Sequence, residues 1–458
     1  AVGVNSLGTE TTGRKNVAIG YATLSTQNNN ADTFNTAVGY DAGKSITTGV
    51  HNVIIGGQAG DAMTNADFNI AIGKDALSAD TRGNSSIAIG EGALLNQNLS
   101  TDVAVHNVCV GHATGNQVTT GVQNTIMGGL AGDALTDADN NVAIGFAALG
   151  SDNKGNGCTA VGAAALANQN FTTSTNARNT AVGDASLNGN TSGTDNSSLG
   201  AFAGYANTTG NTNTSMGSYA LFTNQAGDRN TAVGHQALKV MNPSGNADTY
   251  NVAVGYDAGV AISTGTQNTI LGSESGTNIT TGGTSTLLGY NVDTSDSSPT
   301  GQIVIGSNVN SGSSNTVKIG VAAGNAVLDL NGSDTSWAAS SDSRLKKDVA
   351  TCDVGLDFIK DLRPITYKWN AKNAIANTLP QYDATSSDPV YGSGKTQHGF
   401  LAQEVKTAID AHSGLKDGFT MWNEEADGTQ QVAPSALIPM LVKAIQELSA
   451  EVTKLKGE

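Results

Sequence analysis

The residues with the most chemical potential lie in one short stretch, Ser340-Ser341-Asp342-Ser343-Arg344-Leu345-Lys346-Lys347-Asp348-Val349. A serine hydroxyl is a weak nucleophile until a base removes its proton. A lysine serves as that base when burial leaves its amine neutral. A serine directly after a peptide carbonyl could attack that bond within its own chain. An ester would form, and water would then release two pieces. An isolated Ser with a Lys five residues on is also an ordinary surface pair at a basic helix start.

Elsewhere the chain offers little that reacts. His51, His106, His112 and His235 sit beside a recurring Asn or Gly and read as exposed surface residues, not metal ligands. Aspartates such as Asp61, Asp133 and Asp257 lack calcium-loop spacing. No carboxylate pair stands out as a glycosidase couple. Cys109, Cys158 and Cys352 form an odd set at wide spacing, neither a disulfide framework nor a zinc pattern. Free thiols in a product folded in a cytosol are expected. Neither a cofactor nor a metal is called for. The formal net charge of −16 over 458 residues argues against nucleic acid, whose phosphates need Lys and Arg clusters. No secretory signal is present, and no apolar run reaches the length of a membrane span.

The stretch separates two unlike parts, and residues 1–320 are a repeat. Asn-x-x-aliphatic-Gly recurs, as in Asn16-Val17-Ala18-Ile19-Gly20. From Gly39 through Gly56, Gly73 and Gly90 to Gly111 there are three steps of 17 and one of 21. Gly39, Gly111, Gly183 and Gly255 are accordingly 72 apart. Strand side chains alternate, so the residue before the Gly (Val38, Ile55, Met127) shares a face with the one two earlier. A small residue, often Ala, lies between them. One face is expected to pack branched side chains while the other permits close approach. The Asn four places before the Gly would stack into a ladder from coil to coil. A second pattern, as in Asp75-Ala76-Leu77, reads as another short strand.

Two strands and two turns in 17 residues describe one coil of a β-solenoid. About 19 coils at the ~4.8 Å spacing of neighbouring strands make a rod of roughly 90 Å. The longer fourth step adds residues such as Gln97-Asn98-Leu99-Ser100-Thr101 and Gln169-Asn170-Phe171-Thr172-Thr173. They read either as loops projecting at regular height or as spacers that relieve twist. One coil has a thin core, so neighbouring coils, and neighbouring chains, must complete it.

Residues 321–340, with Leu328, Leu330 and Trp337, read as a closing cap and linker. Residues 341–458 differ in composition. Before the junction 10 Lys and Arg and 23 Asp and Glu occupy 340 residues, and after it 13 and 16 occupy 118. Charge that dense suits a small α+β domain. Leu356, Ile359 and Leu362 have helical spacing, ended by Pro364. Ile365 to Trp369 alternates as a strand, and Leu401, Val405 and Ile409 share a helix face. Ile438, Leu441, Ile445, Leu448, Val452 and Leu455 form a heptad seam on a last helix. That seam alone formally favours two strands.

The stretch from Ser340 resembles the opening motif of the self-cleaving intramolecular chaperone at the C-terminus of phage tail spikes and fibres, the endosialidase type. Val349 stands where that motif usually has Ile. His398-Gly399-Phe400-Leu401-Ala402-Gln403-Glu404-Val405 resembles a second stretch of the same family. The resemblance implies Ser341 as nucleophile, Lys346 as base with Lys347 as the alternative, and Ser340–Ser341 as the cut bond. Asp342 or Arg344 would orient the site. The activity would be a single-turnover Ser-Lys self-cleavage with no external substrate.

The repeats are similar to the head β-rolls of trimeric autotransporter adhesins and to repeats in phage tail fibres. This implies a homotrimer, although the spacing also fits a monomeric solenoid. The expected fold is mainly β: a parallel β-solenoid rod, then an α+β chaperone ending in a coiled-coil helix. The expected function is a host-attachment fibre or spike of a phage virion, folded in the host cytoplasm. It would bind a cell-surface glycan or protein and join upstream virion proteins through a region preceding Ala1, without nucleic acid or membrane insertion. A bacterial surface adhesin with the same chaperone, or a glycan-degrading tail spike, are the rival readings.

Overall fold

The computed structural model describes residues 1–322, 324–330, 338–339, 343, 346–377, 379, 381–391, 394–416, 419–425 and 428–457. They form two compact units, Ala1–Ser340 and Ser341–Glu458.

The first unit is a parallel β-solenoid. Among the described residues, 18 strands stack in parallel between Val17–Ile19 and Thr316–Val321, one per coil. Register follows the repeat: Ala18 lies opposite Ala37, and Ala37 opposite Ile54. The inward residue of each strand is the middle one, such as Ala37, Ala143 or Ile126. The branched residues on either side face outward, so the expected packing is inverted. The second pattern explains why. Asp75-Ala76-Leu77 is no strand but a run of tight turns, with Asp75 at φ 58 and Leu77 at φ 51. These turns send Ala76, Leu77 and, further on, residues such as Met63 or Leu135 into the interior. They fill the coil, and only one residue of the strand fits beside them.

In the coils up to Thr269–Leu271 the repeat glycine ends the strand, for two reasons. Its φ is positive, +135 at Gly145, where L side chains are strained. A Cβ on Gly145 would also lie 2.5 Å from the carbonyl oxygen of Gly162 in the next coil.

The asparagine ladder forms, chiefly from amide to backbone, with direct amide-to-amide bonds such as Asn52 to Asn35 at 3.2 Å. The Asn141 amide nitrogen donates to the Gly155 carbonyl at 2.9 Å, and its oxygen accepts from the Cys158 N–H at 2.8 Å. Asn52, Asn69 and Asn124 do the same in their coils. Every one is fully buried. A buried backbone group left unpaired loses its full hydration. Asn141→Ala orphans two such groups and is expected to cost about 2–4 kcal/mol, measured as a loss of amide-exchange protection in the adjoining coils.

At the long step into Gly255 the ladder continues through Asn230, with Met241 in the loop. At the long steps into Gly111 and Gly183 it is interrupted, and a glutamine repairs it. Ser86 and Cys158 occupy the asparagine position there. Gln97 donates to Asp80 at 2.6 Å and Ser86 at 3.1 Å, and accepts from Asn107 at 2.9 Å. Gln169 joins Asp152 and Asn179 in the same way. Burial pushes the Asp80 carboxyl above the usual carboxylate range, opposed by N–H donors of Gly83, Gln97 and Arg82. The added residues do not simply project. Leu99 and Phe171 turn inward, and Asn65 donates to both carboxylate oxygens of Asp102 at 2.8 Å. Thr209 holds Asn246 likewise at 2.6 Å. Extra two-residue parallel pairs brace the loops, such as Gly155–Asn156 with Thr175–Asn176. These contacts favour the spacer reading.

The rod ends by changing direction. Gly324–Asp329 returns antiparallel along Thr316–Val321, and Ala338–Ala339 adds a last antiparallel pair.

The second unit holds α1 (Leu356–Asp361), α2 (Ala402–Ala411) and α3 (Ile438–Lys456). Two small antiparallel ladders join Ile365–Tyr367 to Gln397–Gly399 and Trp422–Glu424 to Gln430–Val432. Phe358, Val405, Ile409, Met421 and Met440 form the core. Met440 and Ala444 fix the inner face of α3, while Glu447 accepts the Leu356 N–H at 2.7 Å and so caps α1.

Candidate functional site

Ser340, Ser341, Asp342 and Arg344 lie outside the described residues. Of the reactive stretch, Ser343 and Lys346 to Val349 are described. The Lys346 backbone N–H donates to the Ser343 carbonyl at 3.2 Å, a tight turn at the start of the unit. Lys346 is exposed. Lys347 stands 3.9 Å from the Asp348 carboxylate, both in solvent. The described residues thus include both lysines of the predicted site. Upstream, Ala339 is tied to Ala326 in the closing sheet of the rod unit, one residue before the predicted cut.

The second motif stretch lies on a strand and the helix that follows it. His398 is the exposed middle residue of its strand. Arg363, just beyond α1, grips Glu404 in the first turn of α2 with both guanidinium arms, Nε at 3.0 Å. The guanidinium holds the Glu404 carboxyl below the usual range. His412 meets Asp361 at 2.9 Å and packs edge-on against Phe358. Sequence reasoning missed both pairs. Their partners are 41 and 51 residues apart, and no local pattern links them.

The other candidate surface is the outward face of the solenoid sheet. Ile55, Met127, Leu199, Leu271 and Leu288 are 38–46% exposed and follow one line along the rod. Aromatic residues flank it: Phe34, His51 and Phe68 stack at 5.1 and 5.0 Å, and Tyr21 on Tyr40 at 5.5 Å. Lys15 covers the end of the first stack, 4.7 Å from the Phe34 ring. His51 is therefore packed between rings. Among the described residues, no group of three His, Cys, Asp or Glu side chains could hold a metal ion. No described helix is long and apolar enough to cross a membrane. Burial pushes the Cys158 thiol up to about 11 and that of Cys109 higher, which makes both poor nucleophiles.

No curated protein and no solved structure matches the chain. Residues 341–414 match the family model described as chaperone of endosialidase, so a segment of the endosialidase-chaperone type follows the β-solenoid rod.

Proposed function

We propose that the chain is part of a host-attachment fibre or spike of a phage virion, assembled as a homotrimer by its C-terminal unit, which then cuts itself off. The observation that carries the proposal is the aliphatic line on the outer sheet face. Soluble monomers rarely expose contiguous apolar patches beyond a few hundred Å². This line runs the length of the solenoid, and its flanking aromatics extend it. A second and third copy of the same face would cover it. The exposed seam of α3, with Ile445 at 66% and Leu448 at 49%, offers the same copies a grip near the C-terminus.

Three parallel solenoids must start in register, because a one-coil slip mismatches every rung. Joining their C-termini first reduces that entropic cost. Cleavage then removes the joining unit and leaves a rod whose unfolding is slow. In the cut, the Ser341 hydroxyl attacks the Ser340 carbonyl and Lys346 takes the hydroxyl proton. The peptide C–N bond breaks, the Ser341 nitrogen gains a proton, and an ester joins Ser340 to the Ser341 oxygen. Water hydrolyses that ester to a Ser340 carboxylate and a new N-terminal Ser341. Light scattering of the Ser341→Ala full-length chain tests the assembly. Three times the 46.2 kDa chain mass is expected, and a monomer defeats the proposal.

A further inference from the structure

The antiparallel return at the end of the rod borders an open cleft of about 370 Å³. Asn291, Asn308, Asn310, Asn325, Lys318 and Val321 line it. We infer that this cleft is a saccharide-binding site, a refinement that rests on the attachment reading above and names where a host glycan would be held.

Three features set the cleft apart from the rest of the rod. Asn291 and Asn308 occupy equivalent positions 17 residues apart, both left-handed at φ 47 and φ 53. The Asn291 amide donates to the Asn308 oxygen at 2.9 Å, and Asn308 donates to the Ser307 hydroxyl at 3.1 Å. Their carboxamides are thereby held outward in fixed orientations. Earlier coils carry residues such as Leu130, Phe202 or Asp75 there, and the carboxamides Asn5, Gln58 and Gln236 each stand without a carboxamide in the adjoining coil. Second, Lys318 lies in register with the inward core residue Val304. A lysine fits that column only where the stack ends. Its ammonium donates to the Asn310 carbonyl at 2.6 Å and stands at the cleft wall. Third, with no further parallel coil, the ladder of outward carboxamides stops at Asn308, and Asn325 faces it from the returning strand.

A carboxamide both donates and accepts hydrogen bonds, and so does a sugar hydroxyl. Four carboxamides and one ammonium in a small open cleft match a hydroxyl-rich ring better than an apolar or polyanionic ligand. Residues 1–340 carry 10 basic against 23 acidic side chains, which disfavours a polyphosphate chain.

The test is saturation-transfer NMR on the full chain with glucose, galactose, rhamnose, N-acetylglucosamine and N-acetylneuraminic acid as probes. At least one sugar is expected to show transfer. Asn308→Ala and Asn310→Ala should each weaken it about tenfold, the loss of a hydrogen bond or two. Both side chains are exposed and Asn310 keeps its carbonyl bond, so both variants should retain the thermal transition. Silence from all five probes, or binding unchanged in both variants, overturns the site. Trimeric mass and self-cleavage with no sugar bound would remove the cleft and leave the fibre standing. A monomeric chain would remove the fibre reading instead.

Discussion

Ser341→Ala is expected to leave one full-length band on a denaturing gel where the parent chain gives two fragments, residues 1–340 and 341–458. Alanine has no oxygen to form the ester, so the loss should be complete over any accessible time. Lys346→Met should behave the same way. Lys346→Arg should not rescue, because a guanidinium stays protonated and cannot accept the hydroxyl proton. If Lys347→Met blocks the cut and Lys346→Met does not, the base is Lys347. The structure adds a condition. Lys346 is exposed in the single chain, whereas a lysine base needs removal from water. Cleavage should therefore follow association and slow on dilution. Equal rates at every concentration would break that link, and two fragments from the Ser341→Ala chain would dismiss the serine altogether.

The second large effect concerns the outer sheet face. Leu271→Asp and Leu288→Asp place carboxylates on the exposed aliphatic line without touching the coil interior, because both side chains point outward. In the proposed trimer those positions would face partner chains, and an unpaired buried carboxylate there costs several kcal/mol. The double variant should lose its threefold mass while single-coil β structure remains visible by circular dichroism. Ile270→Ala is the inward control. It opens a cavity in the coil itself and should destabilise by about 2–5 kcal/mol. A Leu271→Asp, Leu288→Asp chain that stays trimeric with an unchanged thermal transition would show that the line faces solvent.

Much of this was legible in the residues, and the exceptions have physical causes. The spacing of the glycines marks the solenoid, because their conformation and clearance exclude any side chain. The asparagine ladder was legible for the same reason: few other side chains bond two coils at once. Which strand face is inside was not. Period two groups Val142 with Ile144 but does not say that Ala143 is the buried one. That depends on how much interior the turn residues Leu149 and Leu135 already occupy. The reading of Asp75-Ala76-Leu77 as a strand failed because left-handed residues other than glycine, here Asp75 and Leu77 with Ala76 between them, are rare outside such coils. In the second unit, helices α1 to α3 follow their apolar spacing. The Arg363–Glu404 and His412–Asp361 pairs bridge separate elements and leave no trace in any local window.

The glutamine that mends the ladder at two successive long steps has a genetic corollary. Gln97 hands the pattern to Asn107 just as Gln169 hands it to Asn179, 72 positions later. A segment cut at two such equivalent points would rejoin through contacts its new neighbours already make. Recombination could then lengthen or shorten the shaft in increments of four coils, roughly 19 Å each at ~4.8 Å per strand, without redesigning a single seam.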